Sequence, residues 1–206
     1  MTQSRPITRS DNRGKLVLDA AAELFVEKGY HGTSMRDIAK YTGMLPGSLY
    51  YHFPSKEALL MAVFEEGVQR ISDKVDHALV AAGADPWRRL KVACEAHLQM
   101  LLGGSSFAQV VVRVLPNDAP DVQASLVDMR DSYEARFRNL VAKLPLKTGT
   151  DRKIFRLMLI GSMNHAPIWF RRNGVTASEL AEQFVGNLQA AHSGSLHSLS
   201  AEDQQE

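Results

Sequence analysis

The sequence has few of the features that mark catalysis, metal binding, secretion or membrane insertion. It holds one cysteine, Cys94, so no internal disulfide can close and no thiolate metal cluster can form. It has no HExxH, no GxSxG and no phosphate-cradling glycine loop. None of its seven histidines pairs with a carboxylate at catalytic spacing. An enzyme is therefore not expected, and neither is a bound metal or cofactor. No apolar run reaches the roughly 20 residues needed to span a bilayer. The opening MTQSRPITRSDNRGK is polar and basic, with no apolar stretch behind it, so it is not expected to be a signal peptide. A soluble, intracellular, cytoplasmic protein with no membrane partner is expected. An excess of one charge is also missing. Lys and Arg number 24 against 23 Asp and Glu, a net charge of +1, so the chain is not a polycation that coats nucleic acid. Strand-like alternation is scarce. The best β candidate, Gln109–Leu115, is served equally well by a buried helix, and its flanks favour the helix.

What is present is an ordinary globular composition. The chain has 206 residues, 45% hydrophobic and 23% charged, enough for a sizeable core in one domain or two small ones. The small positive charge is uneven. Residues 1–56 carry eight basic side chains (Arg5, Arg9, Arg13, Lys15, Lys28, Arg36, Lys40, Lys56) against five acidic ones. Any basic face belongs to this first quarter.

Helix signals account for nearly all the rest and predict an all-α fold of about nine helices. Ser10 caps a helix over 11–28. Its apolar residues Val17, Ala20, Ala21, Leu24 and Phe25 form one stripe, and Gly29 stops it. Thr33 or Ser34 caps a second, short helix that ends at Gly43. Pro46 opens a third, over 46–51. Pro54-Ser55 breaks the chain and caps a long helix over 56–79 with Leu60, Val63, Phe64, Gly67, Val68, Ile71 and Val75 inward. Asp85-Pro86 opens a helix to 102. A short helix over 107–115, a long one over 121–144 and another over 151–172 capped by Thr150 follow. The capping box Thr176–Glu179 opens the last, to 190. The domain division that follows is a flexible basic arm over 1–10, a helix-turn-helix unit over 11–55, an effector-binding and dimerisation unit over 56–191, and a disordered polar tail over 192–206.

The segment Gly32–Phe53 reads as helix, glycine turn, helix. Leu49 and Phe53 anchor one face of its second helix. The other face carries Gly47, Ser48, Tyr50 and Tyr51, with His52 close by. Small residues at a helix N-terminus let the backbone approach a DNA groove, and its amides favour phosphate. Taken singly, Tyr50 and Tyr51 read as packing aromatics and Lys56 as a solvated charge. Together, Leu49-Tyr-Tyr-His-Phe-Pro-Ser-Lys-Glu-Ala-Leu-Leu60 and the upstream Ala20–Tyr30 with Gly32-Thr33-Ser34 resemble the signature of TetR-type transcriptional regulators over residues 12–64.

That resemblance implies double-stranded operator DNA as a partner. By position, Thr33 caps the first helix of the motif and touches phosphate, while Pro46, Gly47 and Ser48 approach base edges. Tyr50, Tyr51 and His52 contact phosphate or a thymine methyl, and Lys56 pairs with phosphate. Arg36, Arg5 and Arg9 are further candidates. Many relatives carry lysine or serine where this chain has Leu45-Pro46, so base reading here leans on apolar contact and shape.

The helix over 151–172 is apolar nearly all round, which requires burial on more than one side. Either it is simply central, or one face meets a second subunit. The resemblance implies the latter, a homodimer through the last two helices that matches a pseudo-palindromic operator. Pro167 interrupts this helix beside Asn164 and His165. These two either face an effector pocket or form a satisfied buried pair. Other candidate pocket walls are Trp87, Met100, Phe107, Arg113, Met129 and Trp169. Leu45–Tyr50 and Trp169–Gly174 further resemble TetR-type regulators of fatty-acid and steroid-ring catabolism, which respond to acyl-CoA thioesters. An acyl-CoA effector is implied, with Arg113, Arg171 or Arg172 meeting its phosphates. A ligand-released repressor is the reading that follows. A TetR-type activator and a helical protein–protein adaptor without DNA binding are the alternatives.

Overall fold

The computed structural model describes residues 9–171 and 174–193, with side chains from residue 12 onward. Arg5, Arg172 and most of the tail expected over 192–206 lie outside the described residues, as does the side chain of Arg9. Nine α-helices and no strand occur among the described residues. They are α1 (Arg9–Lys28), α2 (Met35–Thr42), α3 (Pro46–His52), α4 (Lys56–Val80), α5 (Pro86–Leu102), α6 (Ser106–Arg113), α7 (Gln123–Ala142), α8 (Arg152–Trp169) and α9 (Ala177–His192). No described helix is long and apolar enough to cross a membrane.

Local signals set most of the boundaries. Gly29 takes a left-handed φ of 77° after α1, a conformation that costs glycine little. Ser34 and Asp37 form a reciprocal capping box on α2. Ser55 accepts from the Ala58 amide at the start of α4. Asp85 does the same for α5 through Arg88, and Thr176 with Glu179 boxes α9. Four expectations shift. Ser10 is inside α1 rather than its cap. Asp151, not Thr150, caps α8, because its carboxylate reaches the amides of Lys153 and Ile154. Pro116 and Pro120 set two 3-10 turns, which delay α7 to Gln123. The backbone of α8 ends at Trp169, soon after Pro167, rather than at Arg172. The segment 109–115 is helical through Arg113, as its flanks suggested.

The helical stripes read from sequence are the buried faces. Val17, Ala20, Ala21, Leu24 and Phe25 of α1 pack with Ile38 and Leu49. They are continuous with Leu60, Phe64, Leu98, Phe137, Leu159 and Val185 in one apolar cluster. The head formed by α1–α3 and the body formed by α4–α9 therefore share a core rather than meeting through a linker. Helix α6 is the body element that packs against both α1 and α4. Gly67 permits that approach. A Cβ there would stand 2.5 Å from the Phe107 carbonyl oxygen and 2.7 Å from a Val111 methyl. Arg130 fixes the far end of α6 by donating to the carbonyls of Val111 and Val114 at 2.8 and 3.0 Å.

Candidate nucleic-acid interface and effector cleft

The helix-turn-helix is built as its spacing suggested. Met35, Ile38 and Ala39 bury one face of α2. Gly43 turns the chain at φ 67°, its N–H donating to Ala39 and Lys40. Leu49, fully buried, pins α3 beneath α2. The opposite face of α3 then stands free: Pro46, Gly47, Ser48, Tyr50 and Tyr51 are all exposed, Tyr51 to 83%. Leu45 at the N-cap offers no side-chain acceptor to the first amides. His52 is half-buried, edge-on to Tyr51 and close to Gly14 of α1. Arg36 is exposed on α2. A row of small residues and hydroxyl-bearing rings on a projecting helix suits a DNA groove and its phosphates.

Thr33 and Lys56, both expected at phosphate, make hydrogen bonds within the head. Thr33 is 1% exposed. Its hydroxyl donates inward, shared between the carbonyls of Leu24 at 3.1 Å and Gly29 at 2.9 Å. These are acceptors at and near the end of α1, and Thr33 is left with nothing to offer DNA. The helix cap falls to Ser34 instead. Lys56 is also turned inward. Its ammonium donates to the carbonyls of Tyr30 at 3.0 Å and Thr33 at 3.1 Å, and lies 4.1 Å from the Tyr30 ring centre. The Tyr30 hydroxyl donates in turn to Glu57 at 3.0 Å. Burial, with that carboxylate alongside, holds the Tyr30 phenol above the ordinary tyrosine range. Hydrogen bonds hold the Glu57 carboxyl below its usual value. Lys56 and Glu57 thus tie the loop after α1 onto the first turn of α4.

The body carries a cleft of about 550 Å³ between the ends of α6 and α8, lined by Val112, Arg113, Leu115, Gly161, Asn164, His165, Pro167 and Ile168. Of the expected pocket residues it brings together Arg113, Asn164 and His165. The other five lie elsewhere. Trp87 packs against Phe155 and His192, by the start of α8 and the end of α9. Phe107 is buried under Arg70, whose guanidinium sits 4.0 Å above its ring. Met100 and Met129 are half-buried against the core. Trp169 is partly exposed, edge-on to Phe184. Aromatic and sulfur side chains do not declare from sequence which of several faces they fill, and these five fill other contacts.

Arg113 has a second role that the sequence did not show. Its guanidinium donates to the Val26 carbonyl in the last turn of α1, at 3.2 Å. There it also borders a smaller cavity of about 240 Å³ between the head loop Gly29–Gly32 and the α6 exit. In the same seam His31 faces Asp118 at 3.7 Å.

Behind the cleft lies a buried polar chain. His97 of α5 has Nδ1 2.6 Å from the Tyr133 hydroxyl of α7 and Nε2 3.0 Å from Asn164 Oδ1 of α8. His97 and Tyr133 are buried and stack at 21°. Burial pushes the imidazole down to about 4, only partly offset by the Asn164 contact. His97 is therefore neutral, and Asn164 is half of a satisfied core pair as well as a cleft residue. Histidine and tyrosine at 97 and 133 carried no sequence signal, since neither belongs to a motif.

An all-α chain with an exposed helix-turn-helix and a clefted helical body defines a class, the helix-turn-helix transcriptional regulators. Residues 17–63 match the family described as "Bacterial regulatory proteins, tetR family". Residues 83–191 match "Tetracyclin repressor-like, C-terminal domain". The chain belongs to the TetR family of transcriptional regulators. It is 27% identical to the transcriptional activator FasR of Mycolicibacterium smegmatis over 93% of this chain and 86% of that protein. It is 23% identical to the fatty acid metabolism regulator protein of Bacillus subtilis over 72% and 78% of the two chains. The crystal structure of AibR in complex with isovaleryl coenzyme A and operator DNA superimposes with a TM-score of 0.73. It shares 25% identity, with 85% of this chain and 97% of that one covered.

Two variants separate the DNA-facing surface from the internal tie. Tyr51→Ala is expected to leave the urea midpoint unchanged and to weaken all duplexes alike, about five- to tenfold. Lys56→Met is expected to lower stability by about 1–3 kcal/mol, read by urea denaturation, while the salt dependence of any remaining DNA binding keeps its slope. The buried histidine predicts acid sensitivity. Its folded value of about 4 lies below the ordinary 6.5, so the unfolded chain binds more protons between these values. The contribution of neutral His97 is full above pH 6.5 and disappears as pH falls toward 4, on the order of 3 kcal/mol in all. Urea midpoints measured from pH 7 to pH 4.5 should fall more steeply for the native chain than for His97→Gln.

Proposed function

We propose that this regulator is a repressor that binds a pseudo-palindromic operator as a homodimer and is released by an acyl-CoA thioester. The observation that carries this reading is the double position of Arg113. The residue lines the body cleft and also donates to the Val26 carbonyl of the head. An anion entering the cleft competes for the guanidinium that holds α1, so occupancy of the cleft and position of the head are one equilibrium. The cleft walls suit an acyl-CoA, with Val112, Leu115 and Ile168 for an aliphatic chain and Arg113 and His165 for the polar part. The isovaleryl coenzyme A and operator DNA bound by AibR agree with this chemistry.

The dimer rests on α8. Phe155, Leu159, Ile160, Met163 and Ala166 face the core, while Ile154, Leu157 and Met158 are exposed along the opposite side. An exposed apolar stripe of that length on a terminal helix pair calls for a partner, and a second copy gives the two-fold symmetry that a palindrome requires. Contact with DNA is assigned to Pro46, Gly47, Ser48, Tyr50, Tyr51, His52 and Arg36. An activator is the second reading, favoured by the name of the relative FasR.

Fluorescence-anisotropy titration of a duplex from the chain's own promoter, with unrelated DNA as competitor, tests the function. Specific binding weakened 5- to 150-fold by an acyl-CoA is expected. Tightening by the same ligand selects the activator, and binding no stronger than to unrelated DNA favours the adaptor. Arg113→Ala should bring the effector's effect on operator binding close to one-fold. Light scattering tests the interface: Met158→Glu with Leu157→Glu should convert a dimer to a monomer of intact helicity, and an unchanged mass removes α8 from the interface.

A further inference from the structure

The buried chain behind the cleft has a direction, and the direction fixes what the cleft can recognise. The Tyr133 hydroxyl is buried, and its one hydrogen-bond partner among the described residues is His97 Nδ1. A phenol left without an acceptor there is costly, so Tyr133 donates and Nδ1 accepts. The neutral ring then carries its proton on Nε2 and donates to Asn164 Oδ1. With the opposite arrangement, the Asn164 amide would donate to Nε2 and Nδ1–H would donate to tyrosine, leaving the phenol proton unpaired. No buried side-chain nitrogen or oxygen lacks a partner among the described residues. The Asn164 Nδ2 group has no protein partner there, and Asn164 lines the cleft, so its two N–H donors open onto the cavity.

We infer that the Asn164 carboxamide, held in this orientation by Tyr133 and His97, donates to the acyl carbonyl oxygen of the effector and makes that oxygen a requirement for tight binding. The inference rests on the acyl-ligand reading above and deepens it. Arg113 meets the anionic part of the ligand. Asn164 reads the neutral acceptor at the root of the acyl chain, and Val112, Leu115 and Ile168 surround the chain. His97 and Tyr133 never touch the ligand; they are positioning residues. The recognised chemistry, a carbonyl oxygen on an aliphatic chain, is common to a thioester and a free carboxylic acid.

Calorimetric titration of the full chain with three probes separates the possibilities: isovaleryl- and octanoyl-CoA, their thioether analogues in which a methylene replaces the carbonyl, and the free acids. The thioesters are expected to bind about tenfold more tightly than the thioethers. Asn164→Asp retains the acceptor for His97 Nε2–H but replaces the donor with oxygen, and should bring the ratio to one or below. Tyr133→Phe, which lies outside the cleft, should lower the same ratio while thioether affinity stays constant, a pattern that general loosening of the core would not produce. The ¹⁵N shifts of His97 should report the Nε2-protonated ring in the native chain. Free acids binding as tightly as thioesters would support the carbonyl contact and identify a carboxylate as its source. Equal affinity for thioester and thioether, or an Nδ1-protonated His97, overturns this inference and leaves the acyl-CoA reading standing. Failure of both CoA series and the acids to bind overturns both.

Discussion

The ammonium of Lys56 is the constraint on which the geometry of the head depends. It satisfies the carbonyls of Tyr30 and Thr33 in the turn after α1 and sits over the Tyr30 ring. These oxygens belong to a tight loop whose own amides cannot serve them all. Because Lys56 is the first residue of α4, the same bonds that complete the loop also fix where α4 leaves the head. Thr33 acts from the other side, returning its hydroxyl to Leu24 and Gly29.

Arginine side chains extend the same logic through the body. Arg130 holds the carbonyls at the end of α6, Arg152 those at the end of α7, and Arg89 those after α4. Each is a cation at a negative helix end, and each joins two helices that are consecutive in the chain. Arg113 repeats the arrangement at the end of α1 but differs in being exposed and in bordering a cleft. Its bond to the head is correspondingly replaceable. The head is thus held by an accessible tie at α1 and a partly buried one at Lys56.

The body balances a different tension. An imidazole, a phenol and a carboxamide sit among apolar side chains, where each unpaired polar atom would cost about 1–3 kcal/mol. They satisfy one another across α5, α7 and α8. Stability at neutral pH depends on the imidazole remaining uncharged, which burial enforces. The ion pair of buried Arg156 with Glu134 is a second polar link between α7 and α8. The α8 wall of the cleft is thus tied to α5 and α7, while α6 is tied to α7 through Arg130 and to α1 through the exposed Arg113.

The amino-acid sequence by itself determined the helices, their stripes and most of their caps, because those signals act within four residues of one another. Leu24 with Phe25, Ser34 with Asp37 and Thr176 with Glu179 need no distant partner to be read. The face of α3 was legible for the same reason: burying Leu49 necessarily exposes Tyr50 and Tyr51. Tertiary structure decided the rest. Lys56 lies 26 positions from Tyr30, Asn164 lies 67 from His97, and Arg113 lies 87 from Val26. At such separations a long polar side chain has many possible partners, and only the packing of α4, α5, α6 and α8 selects one. That selection set the Thr33 hydroxyl and the Lys56 ammonium on carbonyls of the head. It also drew Arg113, Asn164 and His165 into one cleft while leaving Trp87, Met100, Phe107, Met129 and Trp169 to other contacts.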